Sequence, residues 1–280
     1  MSDYRVINSV AIIGVGVMGS KVAWACGVAG LKVRLYDQSQ VQMHGAMNKI
    51  KQWLQQDGLS EPEVLKIMAA VTAHETLADA VQGVDLAFEN VPERVELKNS
   101  VHQQINEAVD DDVLIGSNAS SIVVSALAEA SGRPELFFNM NFADPREGKL
   151  VEIMVGETTS AKTLKSAEMW ARSIHMVPII TRKEIMGYCL NRIWRAIKKE
   201  SLFLADQGYA DIEDIDRAFM LSFGVSQGPF AMMDEIGLNS VKLVEEQYYQ
   251  ASGDPADQPP KLLTDLVEAG QLGVQSGSGF

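Results

Sequence analysis

Cysteine is nearly absent: Cys26 and Cys189 are the only two in 280 residues, and they are far apart. That excludes a disulfide framework and a thiolate metal site. Four histidines occur, His44, His74, His102 and His175, none at a metal-ligand spacing such as HxxxH. No metal site is expected, and solvated or locally hydrogen-bonded rings are expected at all four. Apolar runs long enough to span a bilayer are missing, and the N-terminal residues show no signal-peptide pattern. Positive charge is scarce: 24 Lys and Arg against 37 Asp and Glu leave a net charge of −13. Nucleic acid is excluded as a partner, because phosphate contacts need cations. These absences predict a cytoplasmic protein with no membrane partner that acts on a small-molecule substrate. Cys26, in an apolar helical stretch, reads as a core residue.

Hydrophobic residues make up 46% of the chain, enough for a substantial core. Short apolar runs at Ser9–Ile13, Leu31–Tyr36, Leu86–Glu89 and Val113–Ser117 alternate with helical stretches such as Val41–Gln56, Glu61–Ala70 and Glu93–Val109. That alternation predicts an α/β fold, a Rossmann-type doubly wound, mostly parallel sheet covered on both faces. Beyond Thr181 strand signals vanish. Helices are expected over Met186–Gln207, Ile212–Phe223, Leu238–Tyr249 and Leu262–Ala269, with Asp211 as an N-cap and a loop at 252–260. The predicted division is a nucleotide-binding domain over residues 1–182 and an all-helical domain over 183–280.

The segment Gly14-Val15-Gly16-Val17-Met18-Gly19 leaves the first strand and opens a helix. Gly14 permits the tight turn, Gly16 lets backbone approach a pyrophosphate, and Gly19 lets helix and strand pack closely. The amides of Val17 and Met18 lie at the helix N-terminus, where free N–H groups favour anions. Asp37 follows the second strand, 23 residues after Gly14, placed to accept ribose hydroxyls. Its carboxylate would repel a 2′-phosphate, so NAD is favoured over NADP.

Further motifs occur in order along the chain. They are Glu89-Asn-Val-Pro-Glu93…Lys98, Ser117-Asn-Ala-Ser120-Ser121, Asn139–Glu152, Gly187-Tyr-Cys-Leu-Asn191-Arg192, Gly228-Pro229-Phe230 and the glycine-rich end. This set resembles the L-3-hydroxyacyl-CoA dehydrogenase family across essentially the whole chain. The resemblance implies hydride transfer between NAD and a 3-hydroxyacyl substrate, a CoA thioester or a free acid, and a helical domain that makes a homodimer. It implies that Glu152 orients an acid–base group, that Ser120 and Asn191 hold the substrate oxygen, and that Glu93, Lys98 and Ser120 contact the cofactor.

The same resemblance exposes departures. The family's H-F-F-N-P reads Asn141-Phe-Ala-Asp144-Pro145, so an amide stands where a histidine takes the proton. An amide cannot serve as a base. The usually apolar loop that follows is Arg146-Glu147-Gly148 and is one residue shorter. Gln275 stands for a lysine, and Met186 for a proline. Three readings stay open. Asp144 or Glu152 takes over as the base; Arg146 binds a carboxylate-bearing, non-CoA substrate; or the chain binds NAD without turnover. Arg192, Arg195, Lys198 and Lys199 read as a solvated helix face.

Overall fold

A computed structural model describes residues 4–280. The chain divides into two compact units, Met1–Cys189 and Leu190–Phe280. The first contains β1 (Ser9–Ile13), α1 (Val17–Val28), β2 (Lys32–Tyr36), α2 (Gln40–Gln56), α3 (Glu61–Ala70), β3 (Val71–Ala73) and α4 (Leu77–Val81). It continues through β4 (Leu86–Glu89), α5 (Val95–Ala108), β5 (Leu114–Ser117), β6 (Phe137–Phe142), β7 (Leu150–Met154), α6 (Ala161–Ser173) and β8 (Val177–Thr181). The eight strands form one sheet in the order β3-β2-β1-β4-β5-β6-β7-β8. Every neighbouring pair is parallel except β6 with β7. This is the expected doubly wound sheet. Strand order reverses between β1 and β4, the place where such sheets bind ligands beyond their carboxyl ends.

Alternation along β1 explains the two-sided core. Val10 and Ile12 pack with Val22, Cys26, Ile50 and Trp170 on one face. Ala11 and Ile13 pack with Leu77, Val81 and Ile105 on the other. Burial pushes the Cys26 thiol up to about 12, so it is inert core filler.

The predicted helix from Met186 starts later. Gly187 and Tyr188 both have positive φ, 83° and 53°, and no helix can run through them. The Tyr188 ring is buried in the core of the first unit, which carries the boundary to Cys189/Leu190 rather than 182/183.

The second unit is all helical: α7 (Leu190–Asp206), α8 (Ile212–Phe223), α9 (Pro229–Ile236), α10 (Leu238–Ser252) and α11 (Lys261–Glu268). Leu202, Phe230, Met233, Leu238, Val241 and Leu263 form its core. The basic face expected on α7 is not wholly solvated. Arg195 bonds Glu245 at 2.8 Å and Asp257 at 2.9 Å and stacks on Tyr248, while the buried Lys198 reaches Glu245 at 3.3 Å. Asp211 occupies the N-cap position of α8 without a side-chain cap bond. No helix among the described residues is long and apolar enough to cross a membrane.

Candidate active site

At the carboxyl end of β1 the backbone does the shaping. Gly14 turns with φ +87°, and a Cβ there would stand 2.9 Å from the Asn90 backbone. A Cβ on Gly19 would lie 1.9 Å from the Gly14 carbonyl oxygen, so helix and turn meet only because both are glycine. A Cβ on Gly16 would meet nothing within 4 Å; it would project into the space over the helix N-terminus. The first turn of α1 holds no acidic residue, and Gly16 supplies no side-chain cap. Those leading N–H groups are thus available to an anion. Asp37 stands at the same end, accepting from Val15 N–H and Ser39 N–H at 2.9 Å each.

Next along the sheet, Glu89 is fully buried at the end of β4 and gathers a polar knot. It accepts from Lys98 Nζ at 2.9 Å, Ser117 Oγ at 2.6 Å and Val91 N–H at 2.5 Å. His102 Nε2 lies 3.2 Å from it, in a contact where neither ring nitrogen makes an aligned hydrogen bond. Burial alone would raise the Glu89 carboxyl; His102, Lys98 and Ser117 outweigh it and hold the group below the ordinary glutamate value. His102, expected to be solvated or locally hydrogen-bonded, is instead fully buried beside Glu89 with neither ring nitrogen in an aligned hydrogen bond. Nothing in the local pattern marks it, because its partner arrives from another strand.

Glu93 then orders the irregular segment after β5. One oxygen accepts from the backbone N–H groups of Ser120 at 2.8 Å, Ser121 at 2.7 Å and Ile122 at 3.3 Å. Ser121 Oγ donates to it at 3.0 Å, but Ser120 Oγ is 3.4 Å away. The Ser120 hydroxyl is the more loosely held and can turn to another partner.

The antiparallel register of β6 and β7 sets Asn141 opposite Glu152. Asn141 Nδ2 approaches Glu152 Oε2 at 3.5 Å, a weak contact, and the other oxygen accepts from Cys189 N–H at 2.9 Å. Glu152 is 2% exposed, whereas Asn141 is half-buried. A buried carboxylate thus lies behind a loosely held amide, one strand from the segment carrying Ser120.

Residues 9–185 match the family model described as the NAD-binding domain of 3-hydroxyacyl-CoA dehydrogenase, and residues 187–280 match its C-terminal domain. The chain belongs to the 3-hydroxyacyl-CoA dehydrogenase family. It is an NAD-dependent oxidoreductase acting on CH–OH. A probable 3-hydroxybutyryl-CoA dehydrogenase of Deinococcus radiodurans is 32% identical over 96% of this chain and 98% of that protein. The 5-formyl-3-hydroxy-2-methylpyridine 4-carboxylate 5-dehydrogenase of Mesorhizobium japonicum is 28% identical over 98% of this chain and 90% of that one. The crystal structure of (S)-3-hydroxybutyryl-CoA dehydrogenase from Ralstonia eutropha superposes with a TM-score of 0.89, at 30% identity and 98% coverage of both chains.

In this member of the dehydrogenase family the glycine turn, the α1 N-terminus and Asp37 fit NAD: two positions exclude any side chain, and the third leaves room above the helix. Lys98, expected as a cofactor contact, is buried with its amine on Glu89, Glu93 and the Val91 carbonyl. It supports the turn that carries Glu93.

Two other expectations are corrected. Asp144 is paired with Lys21 and accepts from Arg146 N–H at 3.0 Å. Burial would raise its carboxyl, but Lys21 and Arg146 more than offset this and hold it below the ordinary aspartate value, poor for a base. Arg146 does not wait for a carboxylate ligand. Its two terminal nitrogens bond Asp57 at 3.1 and 3.0 Å, and its guanidinium lies 4.7 and 5.1 Å from the ring centres of Trp24 and Trp53. Together these contacts pin the loop after Asn141 to α1 and α2. Asn191 is the second residue of α7, exposed, in the helical unit.

Proposed function

We propose that the protein interconverts a 3-hydroxyacyl substrate and its 3-oxo product with NAD, and that Glu152 serves as the acid–base group in place of histidine. The observation that carries this reading is the pairing of Asn141 with Glu152 across β6 and β7, with Asp144 diverted to Lys21. Bound NAD supplies the hydride acceptor. In the oxidative direction Glu152 takes the substrate hydroxyl proton while the carbinol hydrogen leaves with the C–H electron pair and the C=O bond forms. Asn141 Nδ2 and Ser120 Oγ donate to the substrate oxygen and keep it beside Glu152; neither gains a proton. In reduction Glu152 returns that proton to the new hydroxyl.

Replacing Glu152 by Gln tests the assignment. We expect kcat to fall by about 10²–10⁴-fold, with loss of the carboxylate-dependent limb of the pH–rate profile. A Glu152→Gln enzyme with an unchanged profile sinks the assignment, and no turnover by the parent on any 3-oxo compound sinks the dehydrogenase reading itself.

A second reading is a non-CoA substrate, favoured by the relative named for a pyridine carboxylate. Arg146 would not hold its carboxylate, since Asp57 already occupies the guanidinium. We further propose a homodimer built on the helical unit, in a cytoplasmic setting that suits two free cysteines. Helix α8 contains no fully buried residue and leaves Leu221 and Phe223 exposed, an apolar face that a second copy would cover. Light scattering that returns a monomer of Leu221→Glu/Phe223→Glu, and a dimer of the parent, is the expected result; a monomeric parent overturns it.

A further inference from the structure

We propose that Tyr188 is a positioning residue that sets both Ser120 and Glu152, an inference that rests on the dehydrogenase reading above. Only two non-glycine residues among those described have positive φ, His175 and Tyr188. His175 lies exposed in the turn after α6, where such a conformation is unremarkable. Tyr188 is fully buried at φ 53° and directly follows Gly187 at φ 83°. A bulky residue persists in the left-handed region only where its surroundings over-determine it, and such positions cluster at functional sites.

The surroundings here point both ways along the chain. The Tyr188 hydroxyl donates to the Ala119 carbonyl at 2.8 Å, one residue before Ser120. Asn139 Nδ2 donates to the Ile122 carbonyl at 2.8 Å, on the far side of the same segment. Glu93 holds the amides between these two points. Segment 118–122 has no ladder of its own, so side chains from three separate stretches of chain fix it, and Tyr188 supplies the bond to the residue just before Ser120, next to the Ser120 N–H held by Glu93. The residue after Tyr188 gives its N–H to Glu152 Oε1 at 2.9 Å. One left-handed turn therefore aims a phenol at the Ser120 segment and an amide at the proposed acid–base carboxylate. Burial first, then the charges of Glu93 and Glu152, raise the phenol well above its usual value, so the hydroxyl stays a donor.

The test compares the parent with Tyr188→Phe, which removes only the hydroxyl, and Gly187→Ala, which disfavours the turn. For Tyr188→Phe we expect amide exchange at Ser120, Ser121 and Ile122 to quicken by about tenfold. We expect kcat to fall by about tenfold while KM for NADH stays within about twofold, because Ser120 is displaced and the glycine turn is not. Gly187→Ala is expected to lower kcat in the same way, which keeps the test open if Tyr188→Phe folds poorly. A merely space-filling tyrosine would leave exchange and kcat as in the parent, and that result in both variants overturns the proposal. Should the parent lack turnover, the dehydrogenase reading falls, while the exchange measurement still decides whether Tyr188 fixes the segment.

Discussion

Two regions of the large sheet solve different problems with different materials. At β1 and α1, backbone makes the site: two glycines stand where any side chain collides, and a third leaves room over a helix N-terminus. At β6 and β7, side chains make it: an amide faces a carboxylate, a lysine engages the neighbouring aspartate, and an arginine is pressed between two indoles. The first arrangement is local in sequence and tolerates no exchange. The second is assembled from distant residues, with Asp144 held by Lys21 and Arg146 by Asp57.

Several substitutions would break or sharpen that contrast. The largest effect after Glu152→Gln is expected at the glycine turn. A Cβ 1.9 Å from the Gly14 carbonyl should make Gly19→Ala lose NADH affinity by roughly 100-fold, read by fluorescence titration, since overpacking costs about 1–3 kcal/mol. An alanine enzyme that binds NADH normally would show the turn to be as adaptable as the β6–β7 region. Restoring the family's histidine comes next. Asn141→His should raise kcat by at least roughly tenfold if Glu152 can orient a histidine as the family's glutamate does. No gain would mean that the pocket is shaped for chemistry in which the amide is needed. The smallest effect is expected for Arg146→Ala. Loss of the paired and stacked guanidinium should cost about 1–2 kcal/mol in urea unfolding. KM for the acyl substrate should stay within about threefold. A large rise in KM, with stability unchanged, would return Arg146 to the substrate.

The same contrast governs what the chain discloses before its structure is known. The glycine turn, Asp37 and the parallel sheet are readable because each depends on spacing within one βαβ unit, where period and turn chemistry are local. The Asn141–Glu152 pair is also readable, since only 11 residues and one hairpin-like return separate its members. The partners of Asp144 and Arg146 are not readable, because Lys21 and Asp57 lie 123 and 89 residues away. His102 reads as a solvated or locally hydrogen-bonded ring because the helical pattern of α5 does not show that Glu89 lies against it. Tyr188 falls inside the helix expected from Met186; Gly187 signals a turn, but nothing local tells that the ring packs into the core of the first unit.

The sandwich around Arg146 also makes its loop visible to light. Four tryptophans occur in the chain, and Trp24 and Trp53 both face the guanidinium, while Trp170 is sealed in the core. Indole emission responds to a neighbouring cation and to water. Lifting Arg146 away, by substrate entry or by salt that weakens its pair with Asp57, would change two emitters at once and leave Trp170 as an internal standard. The protein therefore carries its own optical gauge for the segment next to Asn141, without any added label.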